Sequence, residues 1–161
     1  MHRKNVTSPV GPIALESDGT ALTALRFGPG EEGESCSVLE EAARQLEEYF
    51  SGRRQVFDLP LAPTGTHFQQ AVWSALLTIP YGETASYGQI AARIGRPKAC
   101  RAVGMANNRN PISIFIPCHR VVGSDGSLVG YGGGLSRKEY LLRLESGSLQ
   151  GCSFGDLLPS L

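Results

Sequence analysis

Residues 86–107 read SYGQIAARIGRPKACRAVGMAN, and the fold turns on how this stretch is parsed. Ser86-Tyr-Gly-Gln89 has the spacing of a capping box, in which a serine hydroxyl and a glutamine side chain each satisfy an orphan amide at a helix start. It opens a short helix through Ile94, and Gly95-Arg96 makes a tight break. Pro97, whose fixed φ suits a first helical position, begins a second helix over Lys98–Asn107, with Ala99, Ala102, Val103 and Ala106 on one face. Two short helices joined by a glycine-containing turn, the second rich in small residues and bases, fit a helix-turn-helix, whose second helix enters a nucleic-acid groove. Many buried helix pairs share this pattern, so other signals must separate the two readings.

Charge distribution is one such signal. The 161 residues carry 15 Lys/Arg and 15 Asp/Glu, a net charge of zero that argues on its face against a polyanionic partner. The charges are not evenly spread. Residues 1–66 hold six bases and ten acids, residues 67–145 nine bases and four acids. Ser86–Arg120 contains Arg93, Arg96, Lys98, Arg101, Arg109 and Arg120 and no acid at all, which is what a nucleic-acid face on an otherwise neutral protein leaves in a sequence. A solvated basic face accounts for the charges equally well when they are taken alone.

Composition limits the class. An apolar fraction of 41% with 19% charged residues is that of a soluble globular protein of one domain, or of two small ones. No run of 18 apolar residues is present, so no spanning helix is expected. The basic start, MHRKNVTSPVG, has no apolar segment behind it, so no secretory signal is expected either. Cys36, Cys100, Cys118 and Cys152 show no CxxC spacing and His2, His67 and His119 are scattered, which argues against a zinc finger. Free thiols in a reducing cytoplasm are the expectation.

Upstream, Pro12–Glu16 and Thr20–Phe27 read as strands around an Asp18-Gly19 hairpin turn. Ser37-Val-Leu-Glu40 reads as a capping box for a helix with Leu39, Ala42, Leu46 and Tyr49 inward, ending at Ser51-Gly52. Asp58–Gly65, with Pro60 and Pro63, reads as an extended connector and marks the boundary between the halves. Thr66-His-Phe-Gln69 caps a helix with Ala71, Val72, Ala75, Leu76 and Ile79 inward. Downstream lies NPISIFIPCHRVV (110–122), an apolar β-branched run broken by Pro117. In the loop Gly123–Gly134, six of twelve residues are glycine, so its backbone must approach something closely or take positive φ; Tyr131 among the glycines suggests a small planar pocket. Ser136-Arg-Lys-Glu139 reads as the cap of a last helix bearing Tyr140, Leu141 and Leu144 and ending at Glu145-Ser146-Gly147. Residues 148–161 read as a loosely docked tail.

Cys118 is the candidate nucleophile. Most cysteines are buried and inert, but this one follows a chain-breaking proline that can expose the sulfur, and His119 and Arg120 come next. A neighbouring cation or imidazole lowers a thiol's pKa and supplies a base. Adjacent residues of an extended chain point to opposite faces, so a water can bridge Cys118 and His119 where a direct bond is out of reach. Glu145, at a helix end, is a candidate to orient the imidazole; an exposed helix-end glutamate is the plain alternative.

These residues resemble a known family. Ile116-Pro-Cys-His-Arg-Val121 closely resembles the signature of the O6-alkylguanine-DNA alkyltransferases. The resemblance runs from about Thr66 to Gly147 through Tyr81-Gly-Glu-Thr84, Ser86-Tyr87, Arg101-Ala-Val-Gly104, Asn110-Pro111, Tyr131-Gly-Gly-Gly-Leu135, Lys138-Glu139, Leu141-Leu142 and Glu145; residues 1–65 match weakly. It implies an α+β fold: a small N-terminal antiparallel-sheet, ribonuclease-H-like domain (1–65) and a mostly helical C-terminal domain with a winged-helix-like helix-turn-helix (66–147), followed by the tail (148–161). It implies irreversible, single-turnover transfer of an alkyl group from O6 of guanine, in nucleotides flipped out of double-stranded DNA, onto Cys118. The implied protein is a cytoplasmic monomer that needs no metal or cofactor and meets no membrane.

The resemblance also implies roles. His119 deprotonates Cys118 through a water, Glu145 holds the imidazole, Asn110 braces the site, and Tyr87 lies near the flipped nucleotide and donates a proton to the departing guanine. Arg101 fills the gap that the base leaves. Tyr87, Gly88, Arg96, Ala99, Cys100 and Ser124 touch DNA. Val121, Tyr131, Gly132 and Met105 line the alkylguanine pocket, with the Cys118 and Val121 carbonyls accepting from the guanine amine. Two positions depart from the family pattern: Gly132, where many relatives carry serine, and Ser113, where some carry proline. A non-catalytic alkylguanine-binding relative lacks the cysteine that this chain has. A helix-turn-helix regulator leaves PCHR unexplained, and a Cys-His hydrolase needs a hydrolysable thioester where alkyl transfer leaves a thioether.

Overall fold

The computed structural model describes residues 1–149 and 153–158. They form two compact units. The first comprises Met1–Thr64 with Pro111–Phe115, the second Gly65–Asn110 with the chain from Ile116 onward.

The first unit is a three-stranded antiparallel sheet in the order β1 (His2–Val6), β2 (Ile13–Ser17), β3 (Leu22–Phe27), with helix α1 (Ser37–Phe50) packed on it. In β2, Ile13, Leu15 and Ser17 are buried while Ala14 and Glu16 are half-buried, the period-2 alternation of a one-sided strand. At the hairpin, Asp18 accepts from the amides of Thr20 (2.8 Å) and Ala21 (2.9 Å), and Gly19 takes a φ of 99°. That turn absorbs Thr20 and Ala21, so β3 starts two residues later than expected. Strand β1, with only Val6 apolar, carries no alternation and is not announced by its residues. Leu39, Ala42, Leu46 and Tyr49 face inward from α1. The capping box expected at Ser37 does not form: Cys36 is the N-cap, and the Glu40 carboxylate turns to the Ser35 hydroxyl and to Lys4.

The outer edge of β3 is covered by two other stretches. Leu22 donates to Pro60 O and Ala62 to Leu22 O, both at 2.9 Å, and Leu25 donates to Pro111 O at 2.9 Å. Pro111–Phe115, expected in the C-terminal half, therefore belongs with the sheet. A paired edge is protected from further strand addition. Ile114, next along, holds a φ of 75°, an arrangement costing about 1–3 kcal/mol for a non-glycine residue.

The second unit is mostly helical. The capping boxes of α2 (His67–Leu76) and α3 (Tyr87–Arg93) both form, on Thr66 and Ser86. In α2 the inward residues are Val72, Trp73 and Leu76, and Ala71 faces solvent. The Trp73 indole donates to Ala106 O at 2.9 Å, which pulls that ring inward and rotates the expected face. Gly95 has the positive φ (75°) that the break requires. Pro97 sits in the turn and not at a helix start: α4 runs over Cys100–Asn108 with Ala99 as N-cap, and Ala102 is exposed. Strands β4 (Ala85–Ser86) and β5 (Val121–Val122) pair in parallel. Helix α5 (Leu135–Ser146) starts at Gly134, whose φ of 91° turns the chain into it, and ends at Gly147 in the left-handed region. The expected Ser136 capping box is absent; that hydroxyl donates to Leu157 O at 2.8 Å. Helix α6 (Phe154–Leu157) sets Phe154 edge-on to Tyr140, 6.2 Å between ring centres, so the described part of the tail is docked by specific contacts. Cys152 lies outside the described residues. No helix among the described residues is long and apolar enough to cross a membrane.

Candidate active site and nucleic-acid face

Pro117 ends the apolar run, and Cys118–Arg120 form one turn of 3-10 helix in place of the extended chain expected there. The amide of Cys118 donates to Ile116 O (2.8 Å) and that of Arg120 to Pro117 O (3.0 Å). The turn points all three side chains inward: Cys118 is 3% exposed, His119 0% and Arg120 7%. The proline therefore aims the sulfur into the protein and does not present it to solvent.

Glu145, in the last turn of α5, meets the turn from the other side. His119 Nε2 lies 2.6 Å from Glu145 Oε2. Arg120 grips the same carboxylate with two donors, Nε to Oε1 at 2.7 Å and Nη2 to Oε2 at 3.0 Å, while its Nη1 donates to Ile79 O at 2.7 Å. Glu145 is thus a buried clamp and not an exposed helix end. Burial alone would raise its pKa, but His119 and Arg120 outweigh burial and hold the carboxyl down to about 2. Burial lowers the His119 pKa against the pull of Glu145, so the ring is neutral near pH 7. With an ionised carboxylate on Nε2, the proton sits there, and Nδ1 is left as a bare acceptor. Nδ1 has no hydrogen-bond partner among the described residues. The residue after Cys118 thus carries a neutral ring whose Nδ1 can accept a proton.

Asn110 donates to Ile116 O at 2.8 Å, tying the end of α4 to the chain entering the turn. Tyr87, at the start of α3, donates its hydroxyl to Val129 O at 2.7 Å. Burial, reinforced by the charge of a Cys118 thiolate, keeps its phenol above the usual pKa and so protonated. Val121 and Tyr131 are buried. A Cβ at Gly132 would lie 3.2 Å from Asn108 O. Met105 is 57% exposed and lines a groove of about 350 Å³ with Phe68, Gln69, Ala102 and Arg109. It lies on the exposed side of α4, because Val103, Ala106 and Asn107 take the inward positions of that helix.

Gly88, Arg96, Ala99, Cys100 and Arg101 gather on α3, α4 and the turn between them. The Arg101 guanidinium is exposed and has no hydrogen-bond or ion-pair partner among the described residues. Ser124 is exposed at a tight loop closed by Gly123 N to Ser127 O, 2.9 Å.

Three features of the site go beyond the sequence reading. The motif makes Arg120 a cation for the thiol, but its charge is spent on Glu145. Lys138 is fully buried, donating to Val129 O (3.0 Å) and Gly130 O (3.2 Å) and so pinning the glycine-rich loop; burial lowers its amine to about 8, against the opposing pull of a Cys118 thiolate. Asn107 is buried and donates to Cys118 O at 3.3 Å. For the last two the residues do carry a signal. Lys138, Leu141 and Glu145 fall at i, i+3 and i+7 on one face of α5, and Asn107 follows Val103 at i+4 on α4, so each is a polar residue on an inward stripe.

Known proteins resemble this chain along its length. The 6-O-methylguanine DNA methyltransferase DNA binding domain matches residues 67–147, and the ribonuclease-like domain of the same description matches residues 1–63. A methylated-DNA–protein-cysteine methyltransferase of Methanosarcina barkeri is 53% identical over 158 residues, covering 93% of this chain and 100% of the relative. One of Mycobacterium leprae is 51% identical over 152 residues, 90% of this chain and 92% of the relative. The crystal structure of Mycobacterium tuberculosis OGT in complex with DNA aligns with a TM-score of 0.88 and 47% identity, over 98% of this chain and 99% of that one.

Proposed function

This chain belongs to the 6-O-methylguanine DNA methyltransferase family, and on that premise we propose that it repairs DNA by direct reversal, moving an alkyl group from O6 of guanine to its own Cys118 in one irreversible turnover. The observation that carries the reading is the buried clamp beside Cys118: one carboxylate, Glu145, holding both His119 and Arg120.

An unperturbed thiol has a pKa of about 8.5 and is mostly protonated at neutral pH. Attack on an sp3 carbon needs the thiolate. The Cys118 proton passes through a water to His119 Nδ1, and Glu145 supports the imidazolium that forms. Sulfur then bonds to the alkyl carbon as the carbon–O6 bond breaks, and the electron pair goes to the guanine. Tyr87 supplies the proton that leaves the base as neutral guanine, exchanging its bond to Val129 O to do so. The thiol proton stays on His119 and the guanine proton comes from Tyr87, so the step leaves an imidazolium and a phenolate, and proton exchange with solvent returns both to neutral. The thioether left on Cys118 has no facile leaving group, and the protein is spent.

The nucleotide must leave the stack to be attacked. The α3–α4 pair opens the duplex. Arg101, exposed and unengaged, enters where the base departs, and the small Ala102 beside it allows close approach in a shallow groove. Contacts to phosphate then give affinity without sequence readout. We place the protein in the cytoplasm, since Cys36, Cys100 and Cys118 are free thiols and the reaction requires Cys118 to stay reduced. It acts as a monomer, because one chain supplies every group of the relay. Intact-mass measurement after incubation with duplex DNA bearing O6-methylguanine tests the reading. The mass rises by one methyl per chain, on Cys118, and stops; turnover in excess substrate, or label on Cys36, Cys100 or Cys152, would overturn it.

A further inference from the structure

Asn107 occupies the last turn of α4 and is 1% exposed. Its Nδ2 donates to Cys118 O at 3.3 Å. Chemistry fixes this orientation: a carbonyl only accepts, so the NH2 half of the amide must face it. The other half, Oδ1, is then buried, and it has no hydrogen-bond partner among the described residues. His119 Nδ1, on the residue after Cys118, is in the same condition. Both atoms are acceptors. One belongs to a residue bonded to Cys118, the other to a residue hydrogen-bonded to it. A buried acceptor without a donor costs about 1–3 kcal/mol, so two on the immediate neighbours of Cys118 require an explanation. The thiol has a single hydrogen and serves one acceptor at most. A water brings two hydrogens and a lone pair for the thiol.

We propose that Asn107 is a positioning residue for alkyl transfer: its Oδ1 accepts one hydrogen of the water that links Cys118 to His119 Nδ1. The inference rests on the reading of Cys118 as the nucleophile. The water accepts the S–H, donates one hydrogen to Nδ1 and the other to Oδ1. When the thiol ionises, the S–H bond breaks and a water O–H forms, while the water's O–H toward Nδ1 breaks and Nδ1–H forms. The water is regenerated, and Asn107 has kept its second hydrogen from turning toward the sulfur. The same amide holds the Cys118 carbonyl through Nδ2. Because α4 also carries Arg101, the helix assigned to DNA and the group that orients the proton relay are one rigid element.

The test is the ionisation of Cys118 in the full-length protein without DNA. Its reaction rate with iodoacetamide is followed against pH by mass spectrometry of the peptide that contains it. Asn107→Leu keeps the branched shape, though with bulkier methyls, and removes both polar atoms. Asn107→Ala, which suits a helix, stands in if the leucine variant does not fold. At neutral pH Cys118 should react about tenfold more slowly in the variant, the loss of one hydrogen bond, and should recover at alkaline pH, where the thiol ionises unaided. In a His119→Ala background the Asn107 change should add nothing, because the relay it orients is already gone. A wild-type pH profile, an equal loss at every pH, or a full additive loss in the His119→Ala background would overturn the proposal. If the unaltered protein gives the expected thiol profile but takes no alkyl group from DNA, the functional reading fails separately from the Asn107 result.

Discussion

Replacing Glu145 by glutamine tests the clamp at its centre. The carboxylate accepts from His119, twice from Arg120, and at 3.4 Å from the Gly82 amide. An amide offers one acceptor oxygen, and its NH2 is turned toward groups that are themselves donors. The Arg120 guanidinium, 7% exposed, would be left buried without a counter-charge. Breaking a buried pair in this way costs about 3–5 kcal/mol. A second route gives the same scale. The carboxyl lies at about 2 against an ordinary 4.5, which corresponds to about 3 kcal/mol. For a chain of this length the melting midpoint should fall by on the order of 10 °C at neutral pH. The sign is set by the lowered pKa: the contribution is present above the ordinary carboxylate range and is lost as pH falls toward about 2. His119, also lowered by burial, loses stability in the same direction, starting from below its usual 6.5. Melting curves of wild type and Glu145→Gln against pH should therefore differ most near neutrality and converge in acid, where the native carboxyl is protonated and resembles the amide. A gap that does not change with pH, or no gap at neutral pH, refutes the clamp as the source of stability. Alkyl transfer should slow as well, since the variant no longer fixes the tautomer of His119.

His119→Ala should cost two to four decades in the single-turnover transfer rate near neutral pH, the worth of a general base, with duplex affinity unchanged; a wild-type rate from pH about 6 to about 9 would remove the relay. Arg101→Ala should slow transfer from duplex DNA far more than transfer from the free O6-alkylated base, and equal losses on both substrates would remove its role in flipping. Gly132→Ser should require the loop to yield a few tenths of an ångström, because the added Cβ meets Asn108 O at 3.2 Å. The expected destabilisation is about 1 kcal/mol, with reduced transfer of bulky alkyl groups relative to methyl, and an unchanged ratio of benzyl to methyl transfer would show that this wall does not gauge the adduct.

Local signals served where local chemistry had no rival. The boxes at Thr66 and Ser86 form because nothing else competes for Gln69 and Gln89. Those at Ser37 and Ser136 fail because other partners win: Lys4, from strand β1, and Ser35 take Glu40, while Leu157 takes the Ser136 hydroxyl. Pro97 has a suitable φ for a helix start, yet the turn uses it and Ala99 becomes the cap. Pro117 is a breaker, as its chemistry demands, but what it begins is a 3-10 turn, and that difference decides which way Cys118 faces. The association of Cys118 with His119 is legible in the motif, and the pairing of His119 with Glu145 is a candidate there. The second grip by Arg120 joins residues 25 apart in sequence, and no periodicity announces it.

Asn107 and Lys138, to which the sequence reading gave no role, share one property with Glu145, which it offered to orient the imidazole. All three sit on helix faces that otherwise carry apolar residues inward, and all three are buried. Burying an amide, an ammonium or a carboxylate without partners costs several kcal/mol, far more than an exposed position would. A fold keeps such a residue only where specific groups receive it. Here the receivers converge on one short segment and its surroundings: Cys118 O for Asn107, the His119 ring and Arg120 for Glu145, and for Lys138 the loop carbonyls of Gly130 and Val129, the latter also engaged by Tyr87. The exceptions to the apolar stripe on α4 and α5 therefore point to the candidate site more sharply than the stripes themselves, because each exception is tolerable only where such partners receive it.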